Sequence, residues 1–260
     1  MLTLAACKKI AQTYGFGSLV TLPTANAKLA KSVGWFNAGV TLAQASLSGH
    51  NVCGGSTPKC RDACLGGTGR AEFTPGITLS RIARTKLFAT NPDLFWQLLE
   101  PELHSIDRKA TKLGVGVAFR PNILSDIPWH IHFPQMFETF AHWNFYSYTK
   151  IKSKVSQAIA GTLPKNYHVT YSWSERAKLA DVKSYVKAGV NVAVPFYDKA
   201  TMKPVIPTRW EGMEVIDGDV SDLRFLDKKG VIVGLKTKLP RALVKRIEMI
   251  EKSDGFFVGV

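Results

Sequence analysis

Three cysteines fall within a dozen residues, at Cys53, Cys60 and Cys64. Their spacing, Cys-x6-Cys-x3-Cys, is threaded with Gly54, Gly55, Pro58, Gly66, Gly67 and Gly69, so the thiols share one flexible loop of the kind that wraps a metal. Core cysteines seldom share a Gly-rich loop, which weighs against three metal-free thiols. Thiolates are soft ligands, and two metal chemistries suit them. In one, His50, at a His-x2-Cys step before Cys53, completes a tetrahedral Cys3His zinc site. In the other, three thiolates hold three irons of a 4Fe-4S cluster and leave the fourth iron open to a small molecule. Cys7 stands alone.

The elements that must position these groups read as βα units from residue 34 onward, with short β-branched runs alternating with helical patterns. Strands are predicted at residues 38–43, 115–119, 144–150, 168–175, 190–196, 213–217 and 230–235. Helices are predicted at 77–88, from the Asn91-Pro92-Asp93 start to about 112, in a Phe- and His-rich stretch ending near 143, and at 154–161, 179–188 and 239–252. Asn as N-cap and Pro at the first helical position support the second of these. The rhythm predicts a complete or partial parallel (β/α) barrel, with an open doubly wound sheet as competitor. Residues 1–33 read as an appended N-terminal segment and 34–260 as a single α/β barrel domain, without repeat or low-complexity linker.

In either topology functional groups gather at the carboxyl ends of the strands. The cysteine loop follows the first strand there. The later strand ends carry Arg120, Asn122, Ser125 and Asp126, then Tyr146, Tyr148 and Lys150, then Ser172, Ser174 and Glu175, then Asp217 and Asp219. Of these, Asn122, Asp126, Tyr148, Ser172, Ser174 and Glu175 are expected to line the mouth and hold a nucleotide-like cofactor or substrate by hydrogen bonds. Loops are polar in any case, so the cysteines decide this reading.

Other constellations compete. Asp217-Gly218-Asp219 with Asp222, Asp227 and Lys236 reads as a magnesium-dependent nuclease site or as an Asp-rich turn. It lacks the acidic-x-Lys ending of restriction-type nucleases. His130, His132 and His142 sit at spacings that oppose a shared metal. Trp129, Phe133, Met136, Phe137 and Phe140 fall at helix spacing and read as core. Arg70, Arg81, Arg84 and Lys86 form either a phosphate-binding edge or a solvated basic helix. Lys150, Lys152 and Lys154 follow Tyr146 and Tyr148, an interleaving that stacks bases and neutralises phosphates.

At 260 residues, 45% hydrophobic and 21% charged, the chain can build a sizeable core. Its net charge of +14 attracts polyanions, and the excess divides evenly between the two halves. That favours a nucleic acid or nucleotide as partner. No apolar run approaches the roughly 18 to 20 residues of a membrane span, so neither a signal peptide nor an anchor is expected and no membrane partner is. Four cysteines, poorly spaced for a disulfide scaffold, fit a reducing cytoplasm. The oligomeric state is not legible.

Two resemblances follow. A three-cysteine loop after the first strand of a barrel resembles radical S-adenosylmethionine enzymes, although their usual spacing is Cys-x3-Cys-x2-Cys and here the third cysteine lies upstream. More closely, Asn51-Val52-Cys53, Cys60-Arg61-Asp62-Ala63-Cys64, Ser125-Asp126-Ile127, Phe145-Tyr146-Ser147-Tyr148-Thr149-Lys150, Ser172-x-Ser174-Glu175-Arg176, Gly189-Val190-Asn191-Val192 and Val215-Ile216-Asp217-Gly218-Asp219 are similar to the phage-encoded gene product 88 family, whose activity is undefined. The expectation is an iron–sulfur protein with Cys53, Cys60 and Cys64 as ligands, a radical-S-adenosylmethionine-like enzyme acting on a nucleic acid or nucleotide in the host cytoplasm. The alternatives are a zinc-stabilised nucleic-acid-binding protein and the nuclease.

Overall fold

The computed structural model describes residues 2–25, 29, 33–64, 74–238 and 243–260. Ten strands lie in the order β1-β2-β3-β4-β5-β6-β9-β8-β7, with β10 on β6. They are β1 (Val20–Thr21), β2 (Trp35–Val40), β3 (Gly116–Arg120), β4 (Asn144–Thr149), β5 (Tyr167–Ser172), β6 (Val192–Tyr197), β7 (Arg209–Trp210), β8 (Met213–Asp217), β9 (Ile232–Lys236) and β10 (Val258–Gly259). Every pairing described is parallel except β1 with β2 and β7 with β8.

The sheet is open, which corrects the expected barrel. From β2 to β6 the order is sequential, as in a barrel. Closure then needs a late strand on the outer edge of β2, and that edge is taken by the N-terminal segment, with Val20 opposite Val40 and Thr21 opposite Gly39. At the other end β9 inserts between β6 and β8, so the last two parallel strands run in reverse order.

The chain divides into two compact units. The first comprises residues 1–54, 64–147 and 164–168. Here α1 (Leu4–Thr13), α3 (Pro75–Thr90) and α4 (Pro92–Leu113) accompany β1–β3. The α4 start is as predicted: Asn91 Oδ1 accepts from the Leu94 amide at 3.0 Å, and Gly114 at φ 67° ends the helix. Its buried face carries Phe95, Leu98, Leu99, Leu103, Ile106 and Ala110, three to four residues apart. Pro101 lies inside this helix and has no N–H for the Gln97 carbonyl. The buried Cys7 thiol points at that carbonyl instead, at 3.9 Å, and burial raises its pKa. Cys7 is thus tied to a helix defect. The segment before residue 34 contributes Cys7, Ala11, Phe16, Leu19 and Val20 to the core. Glu102 secures it, accepting from Ser18 Oγ at 2.7 Å and from the amides of Leu19 and Val20 at 3.0 and 2.8 Å.

The Phe- and His-rich stretch is two short helices, α5 (Trp129–His132) and α6 (Pro134–Thr139), and not one. Pro134 disfavours a helical Phe133, which sits at φ −139°, ψ 65°. Trp129, Phe133, Met136, Phe137 and Phe140 are all buried, as predicted.

The second unit comprises residues 55–63, 148–163 and 169–260. It contains α2 (Pro58–Asp62), α7 (Lys152–Ile159), α8 (Leu179–Lys187) and α9 (Leu243–Lys252). Its core is Val155, Tyr171, Val182, Val190, Val192, Val194, Phe196, Val215 and Ile232. The start of the predicted last helix, residues 239–242, lies outside the described residues.

Candidate functional site

In the first unit the chain leaving β2 stays buried from Thr41 to Ala43. Arg84 Nη1 donates to the Thr41 carbonyl at 3.3 Å, and the Ala43 amide donates to Thr85 Oγ1 at 2.8 Å. The Ala45 amide then donates to Cys53 Sγ at 3.3 Å, while the Cys53 thiol donates to the Leu124 carbonyl at 3.3 Å. One thiol therefore ties the loop after β2 to the loop after β3. The Asp126 amide adds a bond to the Val52 carbonyl at 2.8 Å.

Asn122 organises the second loop from a position 2% exposed. Its Oδ1 accepts from Ser125 Oγ at 2.8 Å, the Ile127 amide at 3.0 Å and the Trp129 indole at 2.9 Å. Its Nδ2 donates to the Ile127 carbonyl at 2.9 Å and to Ser147 Oγ at 3.4 Å. Tyr167 donates to the same Ser147 hydroxyl at 3.1 Å. Burial holds the Tyr167 phenol far above its ordinary range, so it stays neutral. The amide of Asn122 is fully engaged in shaping the loop. Asp126 is buried beside it.

In the second unit, Thr57 caps α2 by accepting from the Cys60 amide at 3.1 Å. The Thr57 hydroxyl donates to Glu175 Oε2 at 2.7 Å, and the Lys59 amide lies 3.4 Å from Glu175 Oε1. A carboxylate thus faces the amides that open the helix carrying Cys60, as the polarity of a helix start favours. Gly55 packs flat against the chain after β4: a Cβ there would meet Lys150 atoms at 2.8 Å. Lys150 Nζ donates to Ser172 Oγ at 2.7 Å and to the carbonyls of Ser172 and Trp173 at 3.4 and 2.6 Å. Ser174 is buried and Tyr148 half-buried.

None of the four cysteines is in a disulfide; Cys53, Cys60 and Cys64 are half-buried. Among the described residues no group of three or more His, Cys, Asp or Glu side chains is gathered to hold a metal ion. Burial lowers the pKa of the Arg81 guanidinium, and Cys64 lies near enough to oppose that shift. His50 is exposed, its backbone bonded to Ser48 Oγ. Gly66, Gly67, Gly69 and Arg70 lie outside the described residues. The lysines read as interleaved with Tyr146 and Tyr148 have separate roles: Lys154 is 2% exposed, Lys152 pairs with Asp181 at 2.6 Å, and Lys150 holds the end of β5. His142 and the Trp143 indole both bond Asp107 Oδ1 at 2.7 Å, so His142 serves a surface clasp.

The Asp-rich turn is braced from within. The Asp219 amide donates to Asp217 Oδ1 at 2.8 Å, and Asp219 Oδ2 accepts from the Lys236 amide at 3.0 Å. Behind it Asp227 lies 3.2 Å from the buried Arg224 guanidinium. Burial pushes the Asp227 carboxyl up to about 6, against the pull of Arg224 and reinforced by Asp222. An unfolded aspartate titrates near 4. Between about pH 4 and 6 the folded chain therefore holds a proton that the unfolded chain has released, and this group's contribution to stability is lost as pH rises through 6. Urea midpoints at about pH 4.5 and 7.5 check this: Asp227→Asn should flatten the fall seen in the parent chain, and an unchanged slope would refute the assignment.

Thr57 is a residue that sequence reading passed over, although Thr-Pro ahead of a short helix is an N-cap signature. Glu102 gave no such signal, because its partners lie more than 80 positions away.

The loops just described are the segments that carry the motifs, and the profile described as gene product 88 matches residues 19–250. The chain belongs to the gene product 88 family. No curated protein and no solved structure matches it. The family match spans the cysteine segment, Asn122, Lys150 and Glu175, and leaves residues 1–18 and 251–260 outside. Among the described residues of this gene product 88 chain, no helix is long and apolar enough to cross a membrane.

Proposed function

We propose that this gene product 88 chain is an iron–sulfur protein, a radical-S-adenosylmethionine-like enzyme acting on a nucleic acid or nucleotide in the host cytoplasm. The observation that carries the reading is the anchoring of the cysteine segment. Cys53 is held by the Ala45 amide and the Leu124 carbonyl, and the helix bearing Cys60 is held by Thr57 and Glu175. The donor set fits in part. An N–H to sulfur bond of the kind Ala45 makes survives deprotonation, whereas the bond from the thiol to Leu124 does not. Three donors are not gathered beforehand, so loading must be coupled to rearrangement of residues 53–64 and to loss of thiol protons. Bound there, a 4Fe-4S cluster would supply an electron and an open iron for S-adenosylmethionine. The protein's part is to fix loops. Asn122 and Glu175 shape them, and Asp126, Tyr148, Ser172 and Ser174 are proposed to hold the ligand.

Oxygen-free purification with iron and sulfide tests this. About four irons per chain, lost in Cys53→Ser, Cys60→Ser and Cys64→Ser, is the expected result. A colourless protein with one zinc, weakened by His50→Ala, supports the zinc-stabilised reading instead, and a metal-free protein of unchanged stability overturns both.

A further inference from the structure

Residues 253–260 follow α9 and lie beyond the family match. Asp254 and Gly255, at φ 50° and 84°, turn the chain sharply after the helix. The Trp173 indole donates to the Gly255 carbonyl at 2.9 Å, and the Phe256 ring covers the Lys150 ammonium at 5.3 Å. Val258 and Gly259 then pair with Phe196 and Tyr197 of β6. They use the length of β6 beyond Ala193, where its pairing with β5 ends. The last ties are Val260 N to the Tyr197 carbonyl at 3.0 Å and Lys199 N to the Val260 carbonyl at 3.1 Å.

We infer that residues 253–260 form a lid that closes over Lys150 at the carboxyl ends of β5 and β6 and opens with loss of the β10–β6 pairing alone, the rest of the sheet staying intact. Its attachments are one indole bond, one ring-on-cation contact, a two-residue strand continued by the Val260 ties, and the buried Phe257 ring. A segment so held opens locally far more often than the core beneath it. The ring-on-cation contact is weaker than a charge-assisted bond to an oxyanion. An anionic ligand that takes over one of the Lys150 Nζ bonds to Ser172 or Trp173 therefore displaces Phe256, and the lid yields to that class of ligand. This inference does not depend on a metal centre.

Hydrogen exchange on the full chain, read with acetylation of lysines by an N-hydroxysuccinimide ester and peptide mass spectrometry, tests it. Amides of residues 256–260 should exchange at least about tenfold faster than those of β6 and β9. Phe256→Ala and Trp173→Phe should each accelerate lid exchange and acetylation of Lys150 several-fold, with Lys152 as an unaffected control. Lid amides as slow as those of β9, or Lys150 acetylation unchanged in both variants, would overturn the proposal.

Discussion

Asn122→Ala is expected to destabilise the chain by about 3–5 kcal/mol, because it orphans three buried donors at once. The Trp129 indole, the Ile127 amide and the Ser125 hydroxyl all converge on one oxygen, and all three residues are buried. Asn122→Asp separates the contributions. It keeps the acceptor for those three donors but turns a carboxylate oxygen toward the Ile127 carbonyl, which now receives the Nδ2 proton. The aspartate variant should therefore fall between alanine and the parent in urea midpoint. Equal midpoints for parent and alanine variant would show that the loop after β3 does not depend on this amide.

Gly39→Ala is the second large effect, about 3 kcal/mol or more. A Cβ at Gly39 would fall inside the Arg120 carbonyl oxygen and lie 2.9 Å from Ile123 Cδ1. The first obstacle is backbone of the paired strand β3, which has no rotamer through which to yield. Gly17→Ala is the control, since nothing stands within 4 Å of its added carbon. Thermal melts of the two variants should separate widely; a Gly39→Ala chain melting with Gly17→Ala would mean that β2 and β3 part without cost.

Much of the parallel sheet was legible because its signals are local. β8 was placed at its observed bounds, and α4 was bracketed by Asn91 and Gly114. The failures share one cause, namely dependence on partners distant in sequence. β1, β7 and β10 are two residues long, too short for alternation to show. Openness of the sheet is decided by Val20 and Thr21 occupying the edge of β2, which no pattern within residues 34–260 reveals. At the site, strand-end placement was readable for Asn122, Lys150 and Glu175. Their roles were not, since Asn122 meets Ser147 and Glu175 meets Thr57 across 25 and 118 positions.

The hold of Glu102 on Ser18, Leu19 and Val20 bears on the order in which the molecule is made. Residues 18–20 leave the ribosome well ahead of the carboxylate that fastens them, which emerges more than 80 residues later. Contacts of such separation are slow to form because a long loop must close before they reward it. Residues 18–20 therefore wait for a helix completed much later before Glu102 can fasten them.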